Sequence, residues 1–181
     1  MTQITKKAMA QSLMKLLEKK TLDKITVKEI VDLCGVNRQT FYYHFQDVYS
    51  LLDWIFVTEA EKIISGYQSI ETWQQDFLAI FDYLKKHKSF VVNIYRSIGR
   101  EFLEQYLYKA VYVFIYDLIK KEADKKNIPE EGIQFFADFY KYAFVGLVLE
   151  WVRTDMQESP QDIVDRVAKL FERIIGKILA E

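Results

Sequence analysis

Apolar residues recur every three or four positions along most of this chain. This is the period of an amphipathic α-helix and not of a strand. Seven longer helices are predicted, over residues 2–20, 48–64, 71–86, 88–98, 101–126, 130–153 and 160–179. Two short helices within residues 26–45 bring the number to about nine. With only 2 prolines and 6 glycines and no alternating β-branched run, the chain is predicted to have an all-α fold.

Residues 26–45, TVKEIVDLCGVNRQTFYYHF, predict two short helices joined by a tight turn. Thr26 followed three residues later by Glu29 is a capping box, which fixes where the first helix starts. Gly35 provides the left-handed backbone conformation that ends a helix, and Asn37 can cap the next one. Two short helices joined this tightly are typical of the DNA-binding helix-turn-helix unit.

The second of these helices has two distinct faces. At about 100° per residue, Phe41 and Phe45 form an inward apolar stripe, and Gln39 and Tyr43 lie opposite it. The flanks carry Arg38 and Tyr42 on one side and Thr40 and His44 on the other. A helix in the major groove needs base-reading groups facing outward and phosphate contacts beside them. A polar surface helix can also carry Arg, Gln and His, but two tyrosines facing solvent favour DNA binding.

Two domains are expected. Residues 1–66 form a DNA-binding domain, a three-helix helix-turn-helix head with a linking fourth helix. Residues 67–181 form a helical C-terminal domain for dimerisation and for an effector or partner. Lys6 and Lys7 in the first helix either reach phosphate or are simply solvated.

The last two helices predict a dimer interface. The helix over 130–153 is apolar nearly all round and must therefore be covered on two sides. A second copy of the chain is the expected cover, since a symmetric interface presents the same patch from both subunits. The candidate interface residues are Phe144, Leu147, Trp151, Val167, Phe171 and Ile174. A wholly internal core is the alternative.

The middle of the chain is rich in aromatic residues, which could line a pocket for an apolar or aromatic effector. The candidates are Phe77, Phe81, Tyr95, Arg96, Phe102 and Tyr106. Arg96 or Arg100 would hold an acidic group of that effector. Ordinary core packing explains the same residues, so the sequence leaves both interpretations open.

The string TVKEIVDLCGVNRQTFYYHFQDVYSLL resembles the N-terminal signature of the tetracycline-repressor (TetR) family of bacterial transcription regulators. The resemblance implies a homodimer built by the last two helices and a near-palindromic operator. Repression is the expected outcome, with DNA affinity controlled through the C-terminal domain. It also implies phosphate contacts at Thr26, Thr40, Tyr42 and His44, with Arg38, Gln39 and Tyr43 nearest the base edges.

One position departs from the family. Val48 stands where its members usually have a lysine that touches the DNA backbone, which puts one phosphate contact per subunit in doubt. Asp47 beside it would mildly repel DNA.

The shorter run NRQTFYYHFQD resembles a subgroup of short TetR-type regulators related to the dihydroxyacetone-kinase-operon activator. This resemblance implies a signal that comes from a protein partner and not from a pocket. The body of the chain would then be a docking surface for a protein co-regulator, and activation competes with repression as the outcome.

Charge and chemistry agree with a DNA-binding regulator. Residues 1–50 hold eight Lys and Arg against five Asp and Glu, a balance of +3, while the remaining 17 against 21 give −4. Two histidines and one cysteine leave no set for a metal site or a nucleophile–base pair, so neither an enzyme nor a cofactor is expected. No signal peptide or membrane segment is expected, and the cytoplasm is the expected location. A helical interaction protein that has lost DNA binding is the remaining alternative.

Overall fold

A computed structural model describes residues 2–64, 72–97, 100–125 and 128–178. Within these ranges the regular structure is helical, which confirms the all-α prediction. The α-helices are α1 (Thr2–Leu17), α2 (Val27–Cys34), α3 (Arg38–His44), α4 (Val48–Ile64), α5 (Trp73–Lys86), α6 (Lys88–Tyr95), α7 (Arg100–Lys125), α8 (Glu130–Arg153) and α9 (Pro160–Ile178).

The predicted helix boundaries agree closely with these, except at the ends of α1 and α6. The helix predicted over 2–20 ends at Leu17, and the helix predicted over 88–98 ends at Tyr95. α1 ends three residues early because the amide of Lys19 bonds to the carbonyl of Leu16, only three residues back, where a continuing α-helix would bond four residues back. A 3-10 turn over Leu22–Lys24 follows and buries Leu22. A single 3-10 turn has no apolar period, so the sequence pattern did not indicate it.

The described helices fall into two compact units. The first comprises Met1–Glu61 with His87–Tyr106, and the second comprises Lys62–Lys86 with Leu107–Glu181. The predicted division between residues 66 and 67 lies outside the described residues and stays a prediction. In the structure, α6 and the start of α7 belong to the same unit as the helix-turn-helix.

The first unit is built around α1, which packs against both α2 and α6. Its core consists of fully buried aliphatic side chains from α1, α2 and α4, among them Met9, Leu13, Ile30, Leu51 and Leu52. Asn93 on α6 donates its side-chain amide to the carbonyl of Leu17, 2.7 Å away. This bond satisfies one of the carbonyls that the end of a helix leaves without an intrahelical partner.

The second unit has an aromatic core. Phe77 on α5 meets Phe144 on α8 edge to face at 4.6 Å, and Phe81 meets Trp151 in the same way at 4.9 Å. The indole N–H of Trp151 donates to the carbonyl of Glu158 at 2.9 Å and so ties the turn between α8 and α9 to α8.

A hydrogen-bonded group of three residues fixes the start of α2. Thr26 accepts from the amide of Glu29 at 3.3 Å, and the Glu29 carboxylate accepts from the amide and the hydroxyl of Thr26, both at 3.0 Å. This is the predicted capping box. Lys20 adds a further bond to the same carboxylate, which holds the pKa of Glu29 at about 2, together with the two Thr26 bonds.

The turn between α2 and α3 follows the predicted chemistry. Gly35 has φ of 73° and lies in the left-handed region, and its amide bonds to the carbonyl of Val31. Asn37 caps α3 by accepting from the amide of Thr40 at 2.7 Å. Only Gly35, Val36 and Asn37 separate the two helices. Because a cap holds each end of this short turn, the turn fixes how α3 is placed relative to α2.

Gly35→Ala should destabilise the protein through backbone strain alone, because an added Cβ meets nothing within 4 Å. We expect the free energy of unfolding to fall by about 1 kcal/mol in urea titrations at fixed protein concentration. Gly132→Ala is the matched control, since its Cβ would make an ordinary contact with Ile128 at 3.7 Å inside a helix. That change should stabilise by up to about 1 kcal/mol. Stabilisation by both changes would contradict the strain argument.

Glu29→Gln should lower the melting temperature near neutral pH but not in strong acid. The folded-state pKa of Glu29 is depressed from its ordinary 4.5 to about 2, so its contribution to stability is complete above about pH 4.5 and is lost as the pH falls towards 2. Thermal unfolding of both proteins from pH 2 to 7 measures this. A difference in melting temperature that stays constant through the acid range would refute the assignment.

Candidate nucleic-acid interface

The position of α3 is set by two phenylalanines. Phe41 is fully buried and Phe45 nearly so, and their ring centroids lie 5.9 Å apart. Phe45 also meets Trp54 of α4 edge to face at 6.2 Å, and the Lys6 ammonium lies 5.6 Å from its ring centroid. These contacts anchor the end of α3 to α1 and α4.

The opposite side of α3 is open to solvent. Tyr43 is 81% exposed and Tyr42 is 59% exposed, and Arg38 and Gln39 are exposed beside them. This is the layout that the helical spacing predicted. Large aromatic side chains this exposed are unusual on a helix that only faces water.

The flanking residues are held more tightly. The hydroxyl of Thr40 donates to the Asn37 side chain at 2.9 Å. The half-buried His44 ring stands edge-on to Tyr43 with centroids 4.9 Å apart. Thr26 is occupied by its bonds to Glu29. The structure therefore brings six of the candidate DNA contacts onto α3 and places the seventh, Thr26, at the start of α2.

Asp47 has a structural role that the sequence analysis did not identify. Its carboxylate accepts from the amide of Ser50 at 2.7 Å, and its own amide donates to the Ser50 hydroxyl at 3.1 Å. The pair caps the start of α4, where Val48 is half-buried. An Asp followed three residues later by a Ser is a recognisable capping pattern and could have been used.

The six effector-pocket candidates are divided between the two units. Phe77 and Phe81 are buried in the second unit against Phe144 and Trp151. The other four, Tyr95, Arg96, Phe102 and Tyr106, lie in the first unit. The Tyr95 ring packs under the Arg100 guanidinium, 4.9 Å from its centroid. The rings of Phe102 and Tyr106 stack on aromatic rings of α4. The assignment to an effector pocket stays a prediction.

Two stacked ring pairs join α4 to α7 within the first unit. Tyr49 stacks on Phe102 at 5.1 Å, and Phe56 stacks on Tyr106 at 4.8 Å. Burial raises the pKa of the Tyr106 phenol, and the charge of Glu59 raises it further. The phenol therefore stays neutral and acts as part of an aromatic layer.

The predicted dimer residues have mixed positions. Phe144 and Trp151 are buried inside the second unit, so they offer no surface to a partner, whereas Leu147 is exposed and Val167 is half-buried. The side chains of Phe171 and Ile174 lie outside the described residues. The apolar surface of α8 instead consists of Phe135, Phe139 and Tyr142, which are 72%, 61% and 58% exposed.

These three aromatic residues share one line along α8, because they are spaced by four and three positions. Gly146 continues the line, and an added Cβ there would meet nothing within 4 Å. Because α8 is apolar nearly all round, its sequence pattern favoured an interface along the stripe through Phe144, which the subunit uses for its own core. We call the line of Phe135, Phe139, Tyr142 and Gly146 the outer face of α8.

Two properties of the described part of the chain bear on its class. No described helix combines the length and the apolar character needed to span a bilayer. The described residues contain no group of three or more His, Cys, Asp or Glu side chains placed to bind a metal ion.

Comparison with known proteins gives matches along most of the chain. Residues 12–53 match the profile described as "Bacterial regulatory proteins, tetR family". Residues 71–173 match the profile "Transcriptional regulator C-terminal region", which belongs to the same group of regulators and covers more than half of the chain.

One curated relative is the HTH-type dhaKLM operon transcriptional activator DhaS of Lactococcus lactis subsp. lactis (strain IL1403). It is 30% identical over 92 residues, 51% of this chain and 49% of the relative. The chain therefore aligns with about half the length of this relative.

Two solved structures have the same fold. The dihydroxyacetone kinase operon activator DhaS superposes with a TM-score of 0.75 at 22% identity, over 96% of this chain and 97% of that one. NalD, the secondary repressor of the MexAB-OprM multidrug efflux pump in Pseudomonas aeruginosa, gives 0.64 at 14% identity, over 96% and 97%.

The family comparisons confirm the resemblance that the helix-turn-helix signature indicated, and they match transcription regulators and not enzymes. The chain belongs to the TetR family of bacterial transcription regulators.

Proposed function

We propose that this protein is a sequence-specific DNA-binding regulator that binds a near-palindromic operator as a homodimer in the cytoplasm. The observation that carries the proposal is the outer side of α3, where Gln39 and Tyr43 face solvent while Phe41 and Phe45 hold the helix from behind. One seven-residue helix makes few base contacts. Two copies related by a two-fold axis would read half-sites about 34 Å apart and so double the sequence read.

The contacts divide into two kinds. Gln39 and Tyr43, at the centre of the exposed face, would meet base edges with Arg38. Thr26, Thr40, Tyr42 and His44 would bind phosphates on either side. Phosphate contacts fix the register and supply affinity, while base contacts supply the discrimination between sequences.

The outer face of α8 supports the homodimer. It presents three large aromatic side chains to solvent in one line, and a surface of this kind is typical of an interface on a soluble protein. Gly146 on the same line lets a second helix approach closely, since it has no side chain. A second copy would bury the same residues by symmetry.

The signal that controls DNA affinity would act through the C-terminal domain. The aromatic candidates for an effector pocket pack against other side chains of their own unit, which favours ordinary core packing at those positions. The similarity to DhaS, an activator, favours the alternative in which a protein partner docks on the body. Repression is the expected outcome, and activation controlled by a protein partner is the alternative.

Base-reading and phosphate-binding residues should respond differently to substitution. Once an operator has been selected from random duplexes and footprinted, Gln39→Ala should lower the preference for operator over scrambled DNA by about 1–3 kcal/mol. Tyr43→Ala should relax the preference in the same direction. Tyr42→Phe and Thr40→Ala should weaken binding to both DNAs alike.

Dissociation constants measured on both DNAs over a salt series test this. Affinity of the unmodified protein should fall steeply as salt rises, through counterion release. Equal losses on operator and scrambled DNA for Gln39→Ala would overturn the assignment of the base readers. Absence of salt-dependent DNA binding would overturn the proposed function.

Phe139→Glu should convert the dimer to a monomer, because it places a charge at the centre of the outer face of α8. The proposed dimer would bury Phe139 of both subunits, so the change removes two apolar side chains from the interface. The dimer dissociation constant should therefore rise by roughly a hundredfold or more. Sedimentation equilibrium measures it. Lys169→Gln is the control: it changes the net charge by the same amount, at an exposed position on α9. This variant should stay dimeric. A Phe139→Glu protein that stays dimeric would place the interface elsewhere.

A further inference from the structure

Thr26 carries an acidic neighbour at the point where it is expected to meet a phosphate. The Thr26 hydroxyl and the Glu29 carboxylate are 3.0 Å apart, and the carboxylate is ionised because the bonds from Lys20 and Thr26 depress its pKa to about 2. A phosphate oxygen that accepted a bond from this hydroxyl would lie within about 6 Å of the carboxylate oxygen. Like charges at that separation repel within the screening length of physiological salt.

The hydroxyl has one proton, which the carboxylate now accepts. Thr26 can therefore donate to a phosphate only by turning this proton away from Glu29. After that rotation the carboxylate keeps two donors, the backbone amide of Thr26 at 3.0 Å and the ammonium of Lys20. Lys20 is the one of these two that also carries a positive charge.

We propose that Lys20 is a positioning residue for DNA binding, which neutralises and holds the Glu29 carboxylate so that the Thr26 hydroxyl can turn to a phosphate. The proposal rests on the proposed function, since it requires that Thr26 meets DNA. Lys20 acts through Glu29 and not through a phosphate of its own. The side chains of Lys20 and Glu29 are 27% and 39% exposed. Both therefore reach the surface, where DNA can approach the pair.

The test uses the whole 181-residue chain and a double-mutant cycle. Lys20→Gln should weaken binding to operator and to scrambled DNA alike by roughly three- to tenfold, because it leaves the Glu29 charge uncompensated. Adding Glu29→Gln should remove that loss, because no charge then remains to be neutralised. Lys20→Arg, which keeps the charge and the donors, should bind as the unmodified protein does.

Lys19→Gln is the matched control, since Lys19 is an exposed neighbour that loses the same charge. Lys19→Gln should weaken DNA binding less than Lys20→Gln does. Its effect on affinity should be the same with and without Glu29→Gln. Titration of the active fraction and thermal unfolding of each variant separate affinity from folding. A merely structural ion pair would predict continued weakness in the double variant, because the pair is absent there too.

Three outcomes overturn the proposal while leaving the regulator function intact. These are no loss in Lys20→Gln, a loss that persists in the double variant, and an equal rescue of Lys19→Gln by Glu29→Gln. A persistent loss with a shallower salt dependence would identify Lys20 as a direct phosphate contact. Failure of the unmodified protein to bind any DNA at low salt would instead overturn the proposed function.

Discussion

Burial of Phe41 and Phe45 is the interaction on which the position of α3, the proposed reading helix, depends. A seven-residue helix is too short to be stable in water by itself, because nucleation is unfavourable and few hydrogen bonds follow it. The structure supplies what is missing through the Asn37 cap and through the Phe45 contacts with Trp54 and Lys6. Because the phenylalanine contacts lie behind the helix, its polar face keeps a defined orientation without using the side chains of Gln39 or Tyr43.

Local chemistry made the helix-turn-helix predictable. The capping box, the left-handed Gly35 and the Asn37 cap depend on residues within four positions of one another, so their geometry follows from backbone rules. The inward and outward sides of α3 also followed, because a short helix with two phenylalanines four residues apart has only one apolar side. The DNA-contact roles of the outward residues remain predictions.

Interactions between distant residues could not be predicted in the same way. α8 carries apolar side chains on most of its circumference, so periodicity could not tell the core stripe through Phe144 from the outer face through Phe139. That choice depends on where α5 places Phe77 and Phe81. The Lys20–Glu29 pair links residues nine positions apart across a 3-10 turn, a spacing that no helical rule favours.

The bond from Asn93 to the carbonyl of Leu17 joins residues 76 positions apart. During synthesis on the ribosome, α1 is completed long before the residue that caps its final turn has been made. The first unit therefore cannot reach its finished form until α6 has been synthesised. A fragment cut just after α4 would contain every candidate DNA contact and still lack a part of its own interior.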